Sequence, residues 1–136
     1  MGSDMKKHNG YKGFHDLIVY QKAYKLSLKI HKITKNFPSS EKYSLTDQIR
    51  RSSRSVSANI SEAWAKRRYI KSFVYKLTDC LGEAFETEVW LDMSLDLDYI
   101  NKEEYDLLIS NNEEVEKMLT SMINNPKKFC YKKVYK

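Results

Sequence analysis

Turn-forming residues are scarce in this chain, which has only four glycines and two prolines in 136 residues. A β-rich fold needs many turns marked by Gly or Pro, so the scarcity weighs against one and favours long helices. Two cysteines, Cys80 and Cys130, give no metal-type spacing and read as free thiols of a cytoplasmic protein. No apolar run approaches the roughly 20 residues that cross a bilayer, so no membrane partner is expected. The polar N-terminus lacks the apolar centre of a signal peptide. "MGSD" at residues 1–4 fits a tag remnant, which would make Met5 the natural start.

The groups that catalysis needs are also thin. His8 falls in a polar leader, and His15 and His31 stand sixteen residues apart on the first helical segment, too far to share chemistry. There is no HExxH, no Glu-x-x-His pattern of a di-iron bundle, no CxxC and no GxxxxGK[ST] loop. "GEAFETE" clusters Glu83, Glu86 and Glu88, but no histidine accompanies them, and a solvated or salt-bridged face is the expected role. Cys80 has no nearby base to activate it. The sequence therefore predicts a non-enzyme with no cofactor and no metal.

What is present is helical periodicity. Phe14, Leu17, Ile18, Tyr24, Leu28, Ile30, Ile33 and Phe37 recur at spacings of three and four and predict a first helix over about 14–36. Pro38 ends it, and Ser39 or Ser40 is expected to cap the next. Over about 41–66, Leu45, Ile49, Val56, Ile60 and Ala63 share one arc, with Ser52 and Ser53 in or beside it. A third helix over about 69–97 carries Phe73, Leu77, Cys80, Leu81, Ala84, Leu91 and Leu95 inward. A fourth runs to about Asn124, with Asn101 as cap and Glu104 at the capping-box position. The predicted fold is all-α, an antiparallel up-and-down four-helix bundle over 14–124, between a disordered leader (1–13) and a mobile basic tail (125–136).

Charge is divided unevenly along the chain. Residues 1–71 hold 16 Lys/Arg against 5 Asp/Glu, residues 72–126 hold 3 against 13, and residues 127–136 hold 5 against none. The densest basic stretch is "DQIRRSSRSVSANISEAW", where Arg50, Arg51 and Arg54 fall opposite the apolar arc. "AKRRY" adds Lys66, Arg67 and Arg68 just downstream, and Lys22, Lys25 and Lys29 repeat along the first helix. Arginine forks suit phosphate oxygens, and several such contacts give salt-sensitive affinity for nucleic acid. Tyr69 lies beside this patch and could stack on a base. Two alternatives stand beside that reading. Asp47–Arg51 and Glu62–Lys66 have i,i+4 spacing and could pair within the helix. The arginines could instead hold the acidic third helix of another subunit, making the chain an assembly module. Gln48, Asn59 and Glu62 are expected to be structural, with Asn59 bonding backbone or Glu62.

The chain resembles the family of 23S rRNA intervening-sequence proteins. The residues that carry the resemblance are "FHDL" (14–17), "FP" (37–38), "LTDQIRRSSRSVSANISEA" (45–63) and "GEAFETE" (82–88). It departs from the family pattern at Ala63, where Gly is usual, and at Glu83, where Ser is usual. The first departure predicts that the second helix runs on smoothly toward the third, and the second puts charge at a small neutral site. The resemblance implies a bacterial all-α bundle. By similarity to the accessory variability determinant of diversity-generating retroelements, it also implies a homopentamer that binds RNA or DNA through a basic surface at Arg50, Arg51 and Arg54.

Overall fold

The computed structural model describes residues 10–132; His8 and the candidate tag remnant lie outside them. Four helices carry the fold: α1 (Ile18–Thr34), α2 (Leu45–Ala65), α3 (Ile70–Asp96) and α4 (Lys102–Asn124). Short 3-10 turns stand at Phe14–Asp16, Ser39–Glu41 and Pro126–Lys128, and no strand occurs among the described residues. Each helix packs on its neighbour in sequence and α1 closes on α4, so the chain is an all-α four-helix bundle.

The side-chain pairs run in opposite directions along neighbouring helices. Arg51 meets Glu86 and Glu62 meets Lys76 between α2 and α3, while Tyr105 meets Asp92 and Asn112 meets Ala84 between α3 and α4. As numbers rise on one helix they fall on the other, which is the antiparallel arrangement. The two shorter connections, residues 66–69 and 97–101, require it too: five residues span at most about 17 Å, whereas a parallel return along α3 needs about 40 Å.

The core is two apolar layers separated by a polar one. One layer gathers Val19, Ala23, Val56, Ile60, Phe73, Leu77, Val115 and Leu119; the other holds Leu26, Ile30, Ile49, Leu91 and Leu108. Between them Ser52 Oγ and Thr87 Oγ1 are bonded at 2.8 Å, and Asn112 Nδ2 donates to the Ala84 carbonyl at 2.9 Å. A buried polar group is costly without a partner, so these pairs favour the one register in which all are satisfied. The small side chain of Ser52 leaves room for this contact.

Several local expectations are corrected. The predicted first helix mixes two faces: Ile18, Tyr24 and Leu28 point outward, and Val19, Ala23, Leu26 and Ile30 form the real inner stripe. The helix begins at Ile18 rather than Phe14, because Leu17 is extended and separates it from the preceding turn. Neither Ser39 nor Ser40 caps α2. Glu41 does so, accepting from the Leu45 N–H at 3.2 Å, from Ser44 Oγ at 2.6 Å and from the Tyr99 hydroxyl at 2.8 Å. Those bonds, Ser44 foremost, hold the Glu41 carboxyl below the usual carboxylate range. α2 also does not run on into α3: it ends at Ala65, and a turn at residues 66–69 intervenes. The Asn101–Glu104 capping box forms as expected, with both reciprocal bonds present.

Beyond α4 the chain folds back rather than trailing away. Phe129 stacks on Phe73 and Tyr11, Cys130 is buried, and the Tyr131 N–H donates to the Arg67 carbonyl at 3.3 Å. Tyr11, from the leader, meets Trp64 edge-on. Together they close the end of the bundle beside the α2–α3 turn.

Candidate nucleic-acid interface

The basic arc of α2 borders an open groove of about 540 Å³, lined on its charged side by Lys42, Arg50, Arg51 and Arg54, with Asp47 as the opposing charge. Helical spacing explains the cluster: residues four apart stand about 6 Å apart on one face.

Each arginine is held by a neighbour. Arg50 is half-buried; its Nε donates to Thr34 Oγ1 at 2.8 Å and its Nη2 to the His31 carbonyl at 3.3 Å. Arg54 Nη2 donates to His31 Nδ1 at 3.1 Å. Guanidinium has no acceptor, so the Nδ1 nitrogen must be the unprotonated one. Burial, then Arg50 and Arg54, lower the His31 pKa, which favours the neutral ring that accepts. Arg51 is more committed: its Nη2 meets Glu86 at 2.8 Å and Gln48 Oε1 at 3.1 Å. The remaining donors of Arg50 and Arg54 are thereby pre-positioned at the groove, which reduces the side-chain entropy lost on binding an anion.

The other predicted basic residues do not join this groove. Lys22 is paired with Glu114 of α4 at 3.2 Å. Lys25 and Lys29 are exposed on α1, and Lys29 borders a separate groove of about 350 Å³ with Glu104 and Leu107 of α4. Lys66 and Arg68 are exposed at the α2–α3 turn, about 18 Å along the axis from Arg54.

Arg67 is not a surface contact. It is 3% exposed, with its guanidinium 3.5 Å from the Trp64 ring centre and 4.6 Å from that of Tyr131. Its Nε donates to the Trp64 carbonyl at 2.7 Å and Nη2 to the Tyr131 hydroxyl at 3.0 Å. Two aromatic faces and the returning tail solvate the cation in place of water.

The expected pairs of Arg51 and Glu62 are also replaced. Arg51 takes Glu86 instead of Asp47, and Glu62 takes Lys76 at 2.8 Å instead of Lys66. Gln48 supports Arg51. Asn59 is half-buried and makes no side-chain hydrogen bond among the described residues. Three ion pairs therefore join helices among the described residues, leaving most of the basic half unneutralised.

On the acidic half, Glu83 is half-buried with Oε1 unpartnered, and burial and then Glu86 raise its pKa. Among the described residues no group of three or more His, Cys, Asp or Glu side chains could hold a metal. No helix among them is long and apolar enough to cross a membrane.

The family model of the 23S rRNA-intervening sequence protein matches residues 15–121. The chain belongs to this family. Among solved structures, this family member is similar to a protein of unknown function from the S23 ribosomal protein family of Bacteroides thetaiotaomicron VPI-5482. The TM-score is 0.72 and the identity 32%, over 79% of this chain and 96% of that one. No curated protein matches. The "QIRR" segment that carries the resemblance is thus the segment that builds the groove.

Sequence reasoning missed His31, Thr34, Lys42, Tyr43 and Thr46 at this site. The signal available was local: Lys42 and Tyr43 stand within eight residues of Arg50, just ahead of the arc. Those on α1 needed the helix pairing itself.

Proposed function

We propose that this family member is a non-enzymatic, cytoplasmic bacterial bundle that binds RNA or DNA through the phosphate backbone, along the face of α2 carrying Arg50, Arg51 and Arg54. One observation carries the reading: the three arginines line a groove with Lys42, and Arg50 and Arg54 are braced from behind by Thr34 and His31. Lys25, Lys29, Lys66 and Arg68 extend the positive field around it and steer a polyanion toward the groove. Arg51, already paired with Glu86, contributes less. No base-reading motif accompanies the groove, so weak sequence preference is expected.

The test is binding of labelled structured RNA and duplex DNA over a salt series, for wild type and Arg50→Ala/Arg51→Ala/Arg54→Ala, with mass followed by light scattering. A steep salt slope that flattens in a mutant of unchanged mass supports the reading. No binding to either polymer near physiological salt overturns it.

A second reading, self-association, has its own support. Phe85, Val89, Met93 and Leu97 are each roughly half exposed and recur every four residues along the acidic α3. Ile18, Tyr24 and Leu28 are exposed on the basic α1. Apolar faces of opposite charge suit a head-to-tail contact between copies, which closes into a ring such as a pentamer when the rotation permits. A mutant that falls to smaller species on loss of the arginines would favour this role for them.

A further inference from the structure

One residue of the α2 groove is not explained by phosphate neutralisation. Tyr43 is 86% exposed, more than any other large apolar side chain described, and the Lys42 ammonium stands 5.3 Å from its ring centre. It lines the groove together with Arg50 and Arg54. An exposed aromatic face beside a cationic groove is a stacking platform.

We infer that the groove selects single-stranded nucleic acid, seating a backbone phosphate against Arg50 and Arg54 while an unpaired base stacks on Tyr43. This rests on the nucleic-acid reading above and narrows its substrate class. In a duplex the base faces are stacked on one another, so Tyr43 has nothing to receive. In a single strand each base offers a free face next to its own phosphate, matching an aromatic ring next to braced guanidinium groups. Stacking needs no hydrogen bonds to base edges, in keeping with weak sequence preference. The donors of Arg50 that are not committed to Thr34 and His31 are held at the groove before any ligand arrives.

The experiment uses the full chain and labelled strands of about 12 nucleotides, oligouridine and oligodeoxythymidine, beside a blunt duplex of equal length. Tyr43→Ala is expected to lose on the order of 10- to 100-fold affinity for both single strands, with duplex binding unchanged. Tyr43→Phe, which keeps the ring, should remain within about 3-fold of wild type. If Tyr43→Ala leaves single strands untouched, or weakens duplex equally, the inference is overturned although the phosphate-binding reading stands. Should inorganic phosphate at low millimolar concentration abolish the Tyr43 dependence, stacking is absent and the groove is an anion site only. If wild type binds no nucleic acid at all, both readings fail together.

Discussion

Arg54 and Arg67 lie thirteen residues apart in one basic stretch, yet the fold uses them in opposite ways. Arg54 is exposed, leaning on a neutral histidine at the mouth of a groove. Arg67 is enclosed between Trp64 and Tyr131 and anchors the returning C-terminal segment. The difference comes from what lies overhead. No described segment crosses Arg54, whereas residues 126–131 fold across the end where Arg67 sits. A run of positive charge is therefore not one surface. Its members divide according to which later segment covers them.

The largest effect should come from the enclosed member. Arg67→Ala removes the ring contacts with Trp64 and Tyr131, the hydrogen bonds to them and the packing of the stem, and should cost about 3 kcal/mol in urea unfolding. Arg54→Ala should stay within about 0.5 kcal/mol. Equal costs would break the comparison. Affinity should respond the other way. Arg50→Ala/Arg54→Ala is expected to lose about 10- to 100-fold in RNA binding and to lower the salt slope by up to about 2. Lys66→Ala/Arg68→Ala should change the slope less, because those residues stand apart from the groove.

The acidic half contains a milder version of the same contrast. Glu86 is paired with Arg51 at 2.8 Å. Glu116 is pushed up to about 8, first by burial and then by its hydrogen bond with Glu88, while Asn112 Nδ2 donates to it at 3.1 Å. Its folded value lies above its unfolded one, so its favourable contribution is complete below about pH 4.5. That contribution is lost as pH climbs toward 8. Relative to Glu116→Gln, wild type should lose on the order of 1 kcal/mol between pH 5 and 9, a small value because the group is partly solvated. A pH-independent difference would remove the raised Glu116 carboxyl from the account. Arg51→Ala, like Arg54→Ala, should stay within about 0.5 kcal/mol, because both partners of its ion pair are substantially exposed.

The bundle was legible where periodicity was strict. In α2 the apolar arc at Leu45, Ile49, Val56, Ile60 and Ala63 faces inward as the spacing requires. In α1 two apolar faces overlap, so the spacing alone could not separate Leu28, outside, from Leu26, inside. The groove was half legible. Arg50, Arg51 and Arg54 share a face by helical geometry, but the bracing of Arg50 and Arg54 by Thr34 and His31 depends on a partner helix whose register no local pattern states. The fate of Arg67 depended on a segment sixty residues later. Side chains decided within one helix can be read in sequence; those decided between distant segments require the fold.

The placement of the two thiols gives the molecule a pair of built-in clocks. Cys80 lies at the centre with no exposure and its pKa pushed up to about 12 by burial, so an alkylating reagent reaches it only when the whole bundle opens. Cys130 belongs to the folded-back segment and is buried by it against the end of the bundle, its thiol also raised by burial. It becomes reactive as soon as that segment lifts. The ratio of the two labelling rates therefore measures how much more often the end cap breathes than the protein unfolds.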